Sequence, residues 1–96
     1  MIDSFRDAWL EAYFVDGIAH RRIPNAIESA LTRKLDIIEA AAEENDLRVP
    51  PGNRFEHLKG QLEGKCSIRV NKQYRLIFEW DGERAHNVYL DSHTYR

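Results

Sequence analysis

Arg69 and Arg75 lie on two neighbouring stretches of the chain, and Asp91 and His93 lie two apart on a third. Cutting an RNA strand without a metal ion needs this kind of set. A base must take the proton of a ribose 2′-hydroxyl. Cations must hold the phosphate oxygens as charge builds, and an acid must protonate the departing 5′-oxygen. Histidine is the natural acid or base near neutral pH, and arginine offers a flat fork of donors that matches a phosphate. His57 and Lys59 precede these stretches and are further candidates for the same chemistry. Any one of these residues alone would read as ordinary surface. The set is informative because strand alternation would gather it on one face.

The alternation is explicit. Ser67 to Asn71 has Ile68 and Val70 at even positions, Tyr74 to Trp80 has Leu76, Phe78 and Trp80, and Asn87 to His93 has Val88 and Leu90. Successive side chains of a strand point to opposite faces, so the even positions form an apolar face. The odd positions collect Arg69, Arg75, Ile77, Glu79, Asn87, Tyr89, Asp91 and His93 on the other. Lys72-Gln73 can close the first turn, and Asp81-Gly82 is a strong hairpin signal. These stretches predict a three-stranded antiparallel meander with one polar face.

The apolar face needs a cover, and the first half of the chain supplies it. Met1-Ile2-Asp3 can form a short edge strand. Ser4 with Asp7 resembles a helix N-terminus, Phe5, Trp9, Tyr13 and Phe14 recur at helical spacing, and Gly17 is a plausible stop. Pro24-Asn25 opens a second helix, in which Ile27, Leu31, Leu35 and Ile38 make one apolar stripe and Asn45-Asp46 ends the run. Between helix and meander, Val49-Pro50-Pro51-Gly52-Asn53 suits neither helix nor central strand, because two prolines remove two amide donors. The expected architecture is α+β, with N-terminal helices packed on one face of a C-terminal antiparallel sheet, and residues 1–96 as one domain.

Composition sets the outer limits. The chain has 96 residues, a 43% hydrophobic fraction and a net charge of −2. The charge is uneven: residues 1–47 carry ten acidic and five basic side chains, residues 48–96 six and nine. Positive charge concentrated in one half suits a local anionic partner better than a diffuse nucleic-acid coat. No apolar run is long enough for a bilayer, no secretion signal opens the chain, and Cys66 is the one cysteine. A cytoplasmic protein without a membrane partner is expected, with Cys66 a small filler. His86 and His93 lack carboxylates at a recognised ligand spacing, and no phosphate loop, serine elbow or dinucleotide fingerprint appears, so neither metal nor cofactor is expected.

The run Leu47-Arg48-Val49-Pro50-Pro51-Gly52-Asn53-Arg54-Phe55-Glu56-His57-Leu58-Lys59-Gly60 resembles the central signature of the HigB toxins, or plasmid-maintenance killer proteins, of the RelE-like ribonuclease superfamily. Ser67-Ile68-Arg69-Val70-Asn71-Lys72-Gln73-Tyr74-Arg75-Leu76-Ile77-Phe78, the helical Arg33-Lys34-Leu35 and the terminal Asp91-x-His93 are similar to the same family. The resemblance spans nearly the whole chain. It implies a RelE-like fold and a ribosome-dependent mRNA endoribonuclease that arrests translation. It also implies a HigA-type helix-turn-helix antitoxin, through which alone the protein would meet operator DNA. Catalysis would rest on Arg69, Arg75, Asp91 and His93, with His57 and Lys59 in the matching basic region. Arg54, Lys72, Tyr74 and Tyr89 would contact RNA, the two tyrosines as stacking rings. The chain departs from the family at Ser92, where tyrosine is usual, with Tyr95 a candidate substitute. The alternative is a weakly active or inactive toxin-fold protein that serves mainly as its antitoxin's partner in operon regulation.

Overall fold

The computed structural model describes residues 1–92; His93 and the tail after it lie outside the described residues. Helix α1 spans Ala8–Asp16 and helix α2 spans Glu28–Ala40. Four strands follow: β1 (Glu56–His57), β2 (Cys66–Arg69), β3 (Tyr74–Trp80) and β4 (Ala85–Ser92). They pair antiparallel in the order β1-β2-β3-β4, with both helices covering one face. The α+β layering and the meander match the sequence reading. The added strand, β1, is only two residues long and has no alternation to reveal it. Its existence depends on its pairing with β2, Glu56 opposite Ser67 and His57 opposite Cys66.

Helix α2 is amphipathic as its spacing requires. Leu31, Leu35 and Ile38 have no exposed surface, and Ile27 ahead of them is 4% exposed. They pack against Ile68, Val70, Leu76, Phe78, Val88 and Leu90 of the sheet. Burying a side chain of this size contributes roughly 1.5–3 kcal/mol, so this stripe anchors helix to sheet. The helix stops at Ala40, short of Asn45-Asp46. Those residues instead belong to a 3-10 turn, Glu44–Arg48, whose start is closed by reciprocal bonds between Glu43 and Asp46. Helix α1 is held to α2 by the Tyr13 hydroxyl, 3.1 Å from the Glu28 carbonyl and 2.7 Å from Thr32 Oγ1. Gly17 ends α1 in the left-handed region at φ 70°, where a side chain would be strained.

Ser4 has a different task from the helix cap its position suggests. The chain before α1 runs parallel to β4, with bridges at Ile2–Ala85 and Phe5–Val88. Beside it, β4 carries a bulge: Ile77 pairs with Tyr89, but Glu79 pairs with His86, so β4 holds one extra residue. Asn87 absorbs the bulge at φ 54°, a conformation asparagine tolerates better than most residues. Ser4 Oγ accepts the Asn87 amide at 2.9 Å, giving that peptide a partner where the strand ladder is interrupted.

Candidate functional site

Register places the expected residues in a row. Arg69 of β2 stands opposite Arg75 of β3, and Arg75 stands opposite Asp91 of β4. All three project away from the helices. Two arginines directly opposite would repel. Each is therefore tied: Arg75 Nε donates to Asp91 Oδ2 at 3.2 Å, and Arg69 Nε donates to the Asn71 carbonyl at 3.0 Å. Asn71 itself is rigid, because its side-chain oxygen accepts the amides of Gln73 and Tyr74, both at 2.8 Å. The arginines are thus held from behind by the sheet and the β2–β3 turn. The Arg75 side chain is 16% exposed and that of Asp91 34%.

The polar face is less open than alternation implies. In the next row Ser67, Ile77 and Tyr89 are 3%, 1% and 8% exposed. The Arg6 guanidinium sits 3.8 Å from the Tyr89 ring centroid, and Lys65 Nζ 5.9 Å from it. Tyr89 therefore has a cation where a base would stack. Tyr74 holds an even position, so its ring turns to the helix side and packs against the core at the end of the sheet.

That end forms a cleft of 340 Å³ lined by Arg54, Glu56, Ser67, Arg69, Asn71, Lys72, Gln73, Tyr74 and Arg75. Four cations face a single carboxylate, Glu56, so the cleft favours an anion. Arg54 reaches it because of a residue with no obvious chemistry. Asn53 is fully buried, and its amide donates to the Leu47 and Val49 carbonyls, both at 3.1 Å, while its oxygen accepts from Lys34 Nζ. Burial lowers the Lys34 pKa, with neighbouring Arg33 adding to it. This anchor fixes the Pro51–Asn53 turn and sets Arg54 in the left-handed region at φ 46°. Neither Asn53 nor Glu56 stands out in the sequence. The only trace of Asn53 is the turn signal of Gly52-Asn53, and Glu56 becomes visible once β1 pairs.

The structure separates His57 and Lys59 from this set. His57 pairs with Cys66, whose side chain is in the core, so alternation turns it to the helix side of β1. There it lies 3.0 Å from Glu44 Oε1 and edge-on to Phe55. Glu44 is held below the usual carboxylate range, by Arg48 first and by His57 in addition. The cluster ties the Glu44–Arg48 turn to β1. Lys59 is exposed ahead of the Gly60–Leu62 turn and does not line the cleft. Cys66 is 2% exposed, and burial, with Glu44 adding to it, pushes its thiol up to about 12, as suits a filler. Among the described residues, no three His, Cys, Asp or Glu side chains gather as a metal site would require, and no helix is long and apolar enough to cross a membrane.

Known proteins match this architecture and this chain. The profile of the HigB toxins, RelE-like toxins of type II toxin–antitoxin systems, matches residues 3–93. The chain is 63% identical over 92 residues to "Toxin HigB-1" of Vibrio cholerae, covering 96% of this chain and 97% of that protein. It is 44% identical over 93 residues to an uncharacterized protein of Haemophilus influenzae, covering 97% and 92%. Among solved structures, a YoeB/ParE toxin from Agrobacterium tumefaciens superposes with a TM-score of 0.50 over 92% of this chain and 94% of that one, at 15% identity. That last likeness speaks for the fold alone.

Proposed function

The chain belongs to the HigB family of RelE-like toxins, and from that premise we propose that it is a metal-independent endoribonuclease that cuts mRNA on the ribosome. The observation that carries the reading is the row Arg69–Arg75–Asp91, opening into a cleft where Arg54 and Lys72 add further positive charge.

In this reading a phosphate of the strand enters the cleft and its non-bridging oxygens meet Arg69 and Arg75. The Arg75 Nη groups have no acceptor among the described residues, so they are available to it while Asp91 holds Nε. Glu56, the carboxylate of the cleft, takes the proton of the 2′-hydroxyl. The 2′-oxygen bonds to phosphorus, and the bond to the 5′-oxygen breaks. His93, two residues beyond Asp91, gives that oxygen its proton. The products are a 2′,3′-cyclic phosphate and a 5′-hydroxyl. Because the arginines are pre-positioned, they stabilise the transition-state charge without having to reorganise.

Membership of a toxin–antitoxin system implies an antitoxin. We assign it the HigA type, a helix-turn-helix protein through which operator DNA is reached indirectly. The ribosome supplies affinity that a chain of net charge −2 lacks, and both place the protein in the cytoplasm. Ser92 favours a weaker enzyme or a pure binding partner. Against that, Ser92 is the cross-strand partner of Tyr74, which brings an aromatic ring to the same place.

The test is cleavage of an mRNA on programmed ribosomes, mapped by primer extension, with a 2′-deoxynucleotide substituted at the cut position. The substitution blocks a 2′-hydroxyl mechanism. Cleavage that persists and leaves a 5′-phosphate defeats it, and absence of cleavage by the wild type favours the binding-partner reading.

A further inference from the structure

Next to the basic cleft lies a second one, of 590 Å³, that shares Tyr74 with it. It lies between the sheet end and the connection from α1 to α2, lined by Trp9, His20, Arg21, Arg22, Tyr74 and Ser92. Arg6 and Asp7 also border it, but they pair with each other at 3.0 Å, and Arg6 is further engaged by Tyr89. Arg21 and Arg22 are exposed and have no carboxylate partner among the described residues. Among the described residues, the cleft therefore keeps two positive charges that no carboxylate pairs with.

The connection that presents them is ordered. Ile23, 4% exposed, plugs it into the core, and its amide donates to the His20 carbonyl at 2.9 Å. The Arg22 amide donates to His20 Nδ1 at 3.2 Å, which puts the proton of a neutral ring on Nε2. The His20 ring lies flat against Trp9, with centroids 4.8 Å apart and 14° between the planes. A stacked ring pair beside two arginines is the combination that single-stranded nucleic acid uses: phosphates on the cations, a base on the rings.

We propose that this second cleft holds the RNA strand next to the cut site, with Arg21 and Arg22 on its phosphates and the His20–Trp9 stack and Tyr74 receiving a base. The inference rests on the RNA-cutting reading above and extends it, because Tyr74 borders both clefts where they meet around the end of the sheet. Ser92 fits this arrangement. It lines the cleft as the cross-strand partner of Tyr74, where its small side chain adds less bulk to the wall than a ring would.

Fluorescence anisotropy with 2′-O-methyl RNAs, which lack the nucleophile, tests it. RNAs of about four and about twelve nucleotides are titrated against wild type and Arg21→Ser/Arg22→Ser, with circular dichroism verifying the fold. At about 50 mM salt the double variant should bind the long RNA about tenfold more weakly and the short RNA unchanged. Two phosphate contacts contribute about 1.4 to the salt slope of a single strand, so between about 50 and about 200 mM salt the wild type should lose about sevenfold more affinity than the variant. Equal binding of the long RNA by both proteins overturns the proposal, as does an equal loss for both lengths. Loss of affinity for an oligoglutamate peptide with the long RNA unaffected would reassign the cleft to an acidic protein segment. A wild type that cuts mRNA on ribosomes but shows no length-dependent loss defeats this inference alone. A wild type that cuts nothing defeats the cutting reading, while length-dependent binding still decides this one.

Discussion

Arg75 contributes packing and chemistry through one side chain, and two substitutions separate them. Its side chain is 16% exposed, so most of the aliphatic stem is buried. Arg75→Ala removes two buried methylenes beyond Cβ, about 1.6 kcal/mol at about 0.8 kcal/mol each. It also strands the Asp91 carboxylate. That group is 34% exposed and retains water on one side, so losing its partner costs nearer about 1 kcal/mol than the 3–5 kcal/mol of a fully buried pair. Arg75→Ala should therefore cost about 2–3 kcal/mol. Arg75→Met keeps the stem and loses only the charge, and should cost about 1 kcal/mol. Both remove the phosphate clamp, so both should slow cleavage on programmed ribosomes by about a hundredfold or more, the scale of losing one transition-state donor. Urea unfolding monitored by circular dichroism and single-turnover cleavage are the two assays. Arg75→Met with cleavage within tenfold of wild type refutes the assignment of Arg75 to the phosphate. Equal destabilisation by both variants refutes the division of packing from charge.

Asn53→Ala should cost about 3 kcal/mol in urea unfolding, because two carbonyls and Lys34 lose a buried partner, and should weaken RNA binding as Arg54 loses its anchor. His86 sits between Asp81 Oδ2 at 2.7 Å and Asp3 Oδ2 at 3.2 Å, at the sheet end where the N-terminal segment docks. Its pKa is raised, by the Asp81 hydrogen bond first, against a smaller opposing effect of desolvation. A raised folded-state pKa means stability that is complete below the unfolded value and lost as pH rises through the folded value. The urea midpoint should therefore fall between about pH 6 and about pH 8, and the fall should vanish in His86→Gln. Cys66, with its thiol pushed up to about 12 by burial, should resist iodoacetamide at about pH 8 in the folded protein and react once unfolded in urea; rapid labelling of the native state would contradict its burial.

Local periodicity was legible in the residues alone. The α2 stripe of Leu31, Leu35 and Ile38 follows from a period of 3.6, and the division of β2, β3 and β4 into an apolar and a polar face follows from a period of two. Arg69, Arg75 and Asp91 could be assigned to one face because they lie inside those runs, where each residue's direction is set by its neighbours in sequence. His57 could not. It lies on a strand of two residues with no pattern of its own, and pairing with Cys66 turns it away from the cleft while bringing Glu56 in. Ser4 looked like a helix cap, because caps are local, yet it accepts the amide of Asn87, 83 residues away. The second cleft is likewise non-local, since Trp9, Arg21, Tyr74 and Ser92 meet only when the connection between the helices folds against the end of the sheet. The row of arginines at the heart of the cleft was thus determined by side-chain direction along single strands. Which other residues share that cleft, and how far the basic surface extends beyond it, was decided by register and by the docking of distant segments, which only tertiary packing sets.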